Sequence, residues 1–289
     1  MPATQYDSFS RQAKRLVTAT CAGLLVVGCA EDVTSSGGDL SDQPASLAFG
    51  ASGAFSDEIF LDLVGKHTKD GGDSVDYAAW QASTVDMTLL DEHIAAIGEV
   101  SPKSHPQLFQ SKDAQRRYWI NAYNALVLDS VLDLWPLESV RNVHVSLTSR
   151  LVPGKGFFYD REVLVGGERF NLLDLEKEIL RDQQDPRLHF ALNCASDSCP
   201  VLRTSDWSDE ELDRATSDFI SNPANVFVDE STVHLSAIFK WYRDEFPPDL
   251  YGYLQTYASP ELRAQLAIAI ERNLPTLYID YDWSLNSVE

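Results

Sequence analysis

The segment KDAQRRYWINAYNALVLDSVLDLW, residues 112–135, constrains this chain more than any other. Its middle is apolar almost all the way round. A helix formed there has no stripe for water and must be covered on every side. Asn121 and Asn124 interrupt the apolar surface three residues apart, with Tyr123 between them. A buried amide without a partner costs about 1–3 kcal/mol. Each Asn must therefore either clamp the backbone of a neighbouring loop, which needs no ligand, or line a site.

Around this segment the pattern is mixed. SDEIFLDLVGKHT reads as a helix capped by Ser56, and TVDMTLLDEHIAAIGEV as a second with Met87, Leu90, Ile94 and Ile97 on one side. GKGFFYDREVLVGGERFNLLDLEKEIL predicts two short strands joined at Gly166–Gly167, then a helix capped by Asn171 with Asp174 at its third position. Leu172, Leu175 and Ile179 form the inner stripe of that helix. Glu176 reads as a solvated carboxylate on it, with reach to the core edge. RLHFAL has the length and content of a buried strand. SDEELDRATSDFISNP follows as a helix capped by Ser208, then NVFVDE and TVHLS as a hairpin, then helices over 237–246 and 249–273, and TLYIDYDWSLN as a closing strand. Strands and helices without regular alternation indicate an α+β fold, a single domain with the buried central helix packed on a small mixed sheet.

The N-terminus suggests where the chain acts. RQAKR precedes the apolar run LVTATCAGLLVVG, which stops at Cys29. A basic stretch followed by about a dozen apolar residues is an export signal, too short to span a bilayer. VVGC resembles a bacterial lipobox. On that reading residues 1–28 are a lipoprotein signal peptide, Cys21 is discarded with it, and Cys29 carries the lipid. Ala30 after the lipidated cysteine favours the outer membrane, facing the periplasm, in a Gram-negative envelope. Residues 29–54, rich in Ser, Gly and Asp, form a flexible tether. Residues 55–289 form the folded body. With 44 acidic against 23 basic residues, a net charge of −21, nucleic acid is excluded as a partner. Electrostatic attachment to anionic lipid is excluded on the same ground, which leaves the N-terminal lipid as the link to the membrane. No cofactor motif is present, and any protein or small-molecule partner is left open.

The stretch RLHFALNCASDSCP holds Cys194 and Cys199 after His189. An exported protein meets an oxidising compartment, and four intervening residues suffice to close a disulfide. A thiol enzyme would instead use Cys194 as nucleophile, His189 as base, and Asn121, Asn124 or Glu176 as orienter. On a continuous strand, however, His189 and Cys194 would point to opposite faces. A bend at Asn193, or His144 or His234 as base, would be needed. As a zinc site, His189, Cys194 and Cys199 are one ligand short, so no metal is expected. A redox pair lacks the usual close spacing.

Four strings, YWINAYNALVLDSVL, NLLDLEKEILR, DPRLHFALNCASDSCPVLR and YDWSLN, together resemble the domain of unknown function 547 family over roughly residues 75–285. The resemblance implies no settled activity. Its pattern points to Asn121, Tyr123, Asn124, Glu176, His189, Cys194, Cys199 and Pro200. Two functions follow as expectations: an envelope-anchored binding or assembly module, or a cysteine-dependent hydrolase or transferase acting on envelope peptides or thioesters.

Overall fold

The computed structural model describes residues 54–288. The signal peptide, Cys29 and all but the last residue of the tether lie outside them. Helix α1 (Glu58–His67) begins after Asp57, while Ser56 accepts a hydrogen bond from the Glu58 amide at 3.3 Å. A two-residue hairpin, β1 (Thr68–Lys69) and β2 (Ser74–Val75), leads into α2 (Tyr77–Ala82) and α3 (Thr84–Glu99). Ser83 caps α3 by accepting from the Asp86 amide. Met87, Leu90, Ile94 and Ile97 are all buried, as their spacing predicts.

Helix α4 (Lys112–Leu134) is the predicted central helix, and every residue from Tyr118 to Leu132 is buried. It is followed by α5 (Lys155–Phe158) and by the hairpin β3 (Val163–Val165) and β4 (Glu168–Phe170). Gly166 and Gly167 turn that hairpin with φ of 59° and 86°. A Cβ on Gly166 would lie 2.2 Å from Ser101 Oγ, so the tip can approach α3 closely enough for the Gly166 amide to reach the Ile97 carbonyl at 2.8 Å. Helix α6 (Leu172–Gln183) starts as predicted: Asn171 Oδ1 accepts from the Asp174 amide, and Asn171 Nδ2 donates to Asp174 Oδ2. Both α3 and α6 pack against α4.

The expected strand RLHFAL is not a strand. Residues Pro186–Phe190 form a 3₁₀ helix. Asp185 accepts from the Arg187 amide at 3.0 Å, and Pro186, with its fixed φ and no N–H, occupies the first turn. These local start signals outweigh the apolar content.

Helix α7 (Asp209–Ser221) is capped by Ser208. Then β5 (Val226–Val228) pairs antiparallel with β6 (Val233–Ser236), which is followed by α8 (Ile238–Trp241). The predicted helix over 249–273 divides into α9 (Leu250–Tyr257) and α10 (Pro260–Glu271), because Ser259 and Pro260 start a new helix. Strand β7 (Thr276–Ile279) returns parallel to β6, completing a mixed three-stranded sheet. No helix among the described residues is long and apolar enough to cross a membrane.

The result is α+β, with two apolar clusters. The larger surrounds α4. The smaller joins β5 and β6 to α9 and α10, with Phe190, Phe219, Phe239 and Phe246 at its centre. The 3₁₀ helix sends Leu188 into the first cluster and Phe190 into the second, and Tyr242 packs against both. After β7 the chain crosses the cysteine loop. There the Asp197 amide donates to the Ser284 carbonyl, the Leu285 amide to the Glu138 carbonyl, and Tyr77 Oη to Asn286 Oδ1. The seam between the two clusters therefore has a lid of C-terminal chain.

Candidate functional site

Asn124 holds the loop that carries the cysteines. Its Nδ2 donates to the Ala191 carbonyl at 3.0 Å, and its Oδ1 accepts from the Asn193 amide at 2.9 Å. Asn193 continues the chain of bonds, donating to the Pro200 carbonyl and accepting from the Ala195 amide. Ala195 has φ of 59°, a left-handed conformation that reverses the backbone just after Cys194. Within this turn Cys194 and Cys199 form a disulfide, with Cα atoms 6.1 Å apart. Tyr281 Oη lies 3.2 Å from one sulfur and 3.1 Å from the other, and Ser196 Oγ is 3.2 Å from Cys194 Sγ.

The disulfide forms part of the wall of a chamber of about 310 Å³ at the seam. His189 and Glu176 line the same chamber. The objection that His189 and Cys194 face apart rested on a strand. A 3₁₀ turn continued by Ala191 in a helical conformation replaces that strand, and both residues line one cavity. His189 is buried, its Nε2 lies 3.0 Å from Glu245 Oε2, and its ring lies 4.1 Å from that of Tyr242.

Glu176 is not a solvated helix carboxylate. Tyr123 Oη donates to its Oε2 at 3.0 Å and Tyr242 Oη to its Oε1 at 2.5 Å. Burial, and then the charge of Glu176, push both tyrosine hydroxyls well above their ordinary pKa. They are therefore permanent donors near neutral pH. Burial likewise raises Tyr281. The rest of the wall is aromatic. Trp241, Tyr281 and Trp283 form a mutually packed group with ring centroids 4.6–5.6 Å apart, and Phe158 is also in the lining.

Asn121 is elsewhere. Its Oδ1 accepts from the indole Nε1 of Trp207 at 2.9 Å, and its amide faces the carboxyl of Asp57. It serves side chains, where a backbone clamp was expected. Asp57 is buried with Oδ1 unpartnered, and burial raises its pKa to about 7. His93 Nε2 lies 3.8 Å from that oxygen. Neither ring nitrogen of His93 has a hydrogen-bond partner, and burial lowers its pKa to about 4. Thus Cys194, His189 and Glu176 share one cavity, while Asn121 and Asn124 do not line it. The alternative bases are also outside. His144 lines a separate polar cavity, and His234 bonds Asp229 on β6. Among the described residues no group of three or more His, Cys, Asp or Glu is arranged to hold a metal.

Sequence reasoning passed over Tyr242, Trp241, Tyr281 and Trp283 as site residues. The available signal was the terminal string YDWSLN, which carries two of them.

Residues 108–220 match the sequence model of a family described as protein of unknown function, DUF547. The match is narrower than the 75–285 span of the resemblance. It contains α4, α6, the 3₁₀ helix and both cysteines, but not the aromatic wall contributed by 241–242 and 281–283. No curated protein and no solved structure matches the chain.

Proposed function

We propose that this chain, a DUF547 protein over residues 108–220, is a lipid-anchored envelope module that binds a small molecule in the chamber at Glu176. The observation that carries the binding reading is the convergence of an aromatic wall on one carboxylate held by two tyrosine hydroxyls. Apolar concavities with a few fixed polar groups are the usual form of ligand sites, and this one lies at the small end of the common range of about 300–1,000 Å³. A fragment screen by thermal shift tests it. Hits on the full chain should be lost in Leu173→Trp, which fills the chamber from its lining. Hits that bind this variant equally well would locate the site elsewhere.

Attachment through Cys29 is supported by the basic and apolar segments before it and the tether after it. Changing Cys29 to Ser should release the body from membranes into the soluble fraction, and mass spectrometry of an unacylated wild-type chain would overturn the anchor.

A second reading, a cysteine-dependent hydrolase or transferase, is favoured by one observation: Cys194 and His189 line the same chamber. It requires the thiol free. Thiol counting on protein from an oxidising compartment separates the two. No reactive thiol, with similar losses of about 2 kcal/mol for Cys194→Ser and Cys199→Ser, supports the structural bridge. A single fast-alkylating Cys194 supports the enzyme.

A further inference from the structure

The charge balance of the chamber is one-sided. Glu176 accepts from Tyr123 and Tyr242, and it has no ion pair with any Lys, Arg or His among the described residues. Among the described residues no lysine or arginine lines the cavity. His189, the one lining side chain able to carry positive charge, turns its Nε2 to Glu245. Two neutral hydroxyl donors fix the carboxylate in place, but they do not neutralise it. A carboxylate has room for about four hydrogen bonds, so each oxygen still has a free lone pair. The surrounding rings present electron-rich faces of the kind that attract cations. One ring of this wall is already used so: the guanidinium of Arg141, which lines the adjoining polar cavity, lies 5.3 Å from the centroid of Trp283. An anionic ligand would meet repulsion from Glu176 with no described basic side chain in the lining to offset it. A neutral ligand would leave the carboxylate without a counter-charge.

Resting on the binding reading above, we propose that the ligand of this chamber carries an organic ammonium group, received by Glu176 and flanked by the faces of Tyr242, Tyr281 and Trp283. The chamber admits only a small molecule or the end of a longer one, and the apolar lining at Leu173, Leu192 and Ile238 fits a hydrocarbon or aromatic body behind the charge.

Three probes of nearly equal shape test this: benzylamine, benzyl alcohol and benzoate, titrated into the full chain and followed by tryptophan fluorescence. Trp283→Phe identifies the part of the signal that comes from the wall. Benzylamine should bind about tenfold or more tighter than benzyl alcohol, with benzoate weakest. Glu176→Gln should weaken the amine far more than the alcohol and bring the two affinities together. Equal binding of amine and alcohol to the wild type overturns the ammonium proposal and leaves the binding reading standing. Absence of a response from all three overturns both. Should Glu176→Gln melt far below the wild type, the amine-to-alcohol ratio in the wild type decides, together with Trp283→Leu. That variant should weaken the amine more than the alcohol, because a cation loses the ring face.

Discussion

Two buried carboxyl groups are served by one helix and meet opposite fates. Asn121 and Tyr123 are two residues apart on α4, and at about 100° per residue they leave the helix roughly 200° apart. Asn121 faces Asp57; Tyr123 donates to Glu176. Asp57 has one unpartnered oxygen, Oδ1, near His93, while its Oδ2 lies 3.8 Å from Arg117 Nε, and burial drives the carboxyl up to about 7. Both acids border a cavity, but Glu176 has a hydroxyl donor on each oxygen. The difference separates a carboxyl left short of donors from one built to receive something. A hydroxyl aimed at each oxygen of an acid marks a site, whereas a buried acid oxygen left without a donor is a load on stability.

The largest expected effect breaks the comparison at Asp57. Its folded value of about 7 lies above the ordinary 3.8, so the folded chain keeps the proton that the unfolded chain has released. Stability from this group is fully present below about pH 4 and is lost as pH rises towards 7. At about 1.4 kcal/mol per unit the loss has an upper limit of about 4 kcal/mol. Asp57→Asn carries no such load. Its advantage over the wild type should grow from pH 4 to 7 and then level off in urea unfolding curves. A constant difference across that range would show that Asp57 does not titrate. His93 works with the opposite sign. Its value falls from 6.5 to about 4, so its contribution is present above 6.5 and lost as pH falls. Between pH 4 and 6.5 the two slopes offset, and the wild type should be nearly flat there. His93→Phe, which suits a ring stacked on Phe60 and beside Phe55, should expose the Asp57 slope alone.

Asn124 sharpens the comparison from the other side, since it bonds two backbone groups of the loop that forms the chamber wall. Asn124→Leu should lower stability by about 1–3 kcal/mol, because the Ala191 carbonyl and Asn193 amide are left buried and unpaired. A melting temperature within a degree of the wild type would mean that the loop is held by Asn193 and the C-terminal tail instead.

What the residues disclosed in advance follows from the range of the forces involved. Helix α4 was legible because all-round apolarity admits only burial, and Asn171 with Asp174 announced a helix start through bonds three residues apart. The Gly166–Gly167 turn was equally local. The error at 187–192 had the same origin: apolar content was weighed, and the Asp185–Pro186 start signal was not. The chamber was half legible. Cys194, His189 and Glu176 drew attention through their chemistry, but their shared cavity depends on the 3₁₀ turn over Pro186–Phe190, which the apolar content of RLHFAL concealed. The aromatic wall comes from 123, 158, 241–242 and 281–283, and only the folded chain unites them. Nor does any local pattern tell Glu176 from Glu178 two positions on. What distinguishes Glu176 is Tyr242, 66 residues away.

The smallest expected effect tests whether Glu176 is a site or a strut. Tyr242→Phe removes one of its two donors and nothing of the ring that packs on His189. If the bond were structural in the manner of Asn124, its loss would leave a buried acceptor stranded. Because Glu176 lines a cavity that reaches solvent, a water can take the place of the hydroxyl. Stability should therefore fall by no more than about 1 kcal/mol. Ligand binding should suffer more than stability, since the carboxylate loses the donor that fixes its orientation. Measured together, a small shift in melting and a clear loss of benzylamine affinity would mark Tyr242 as a positioning residue. A drop of several degrees with affinity unchanged would instead make the Tyr–Glu–Tyr cluster a core fastening, no different in kind from the bond between Asn121 and Trp207.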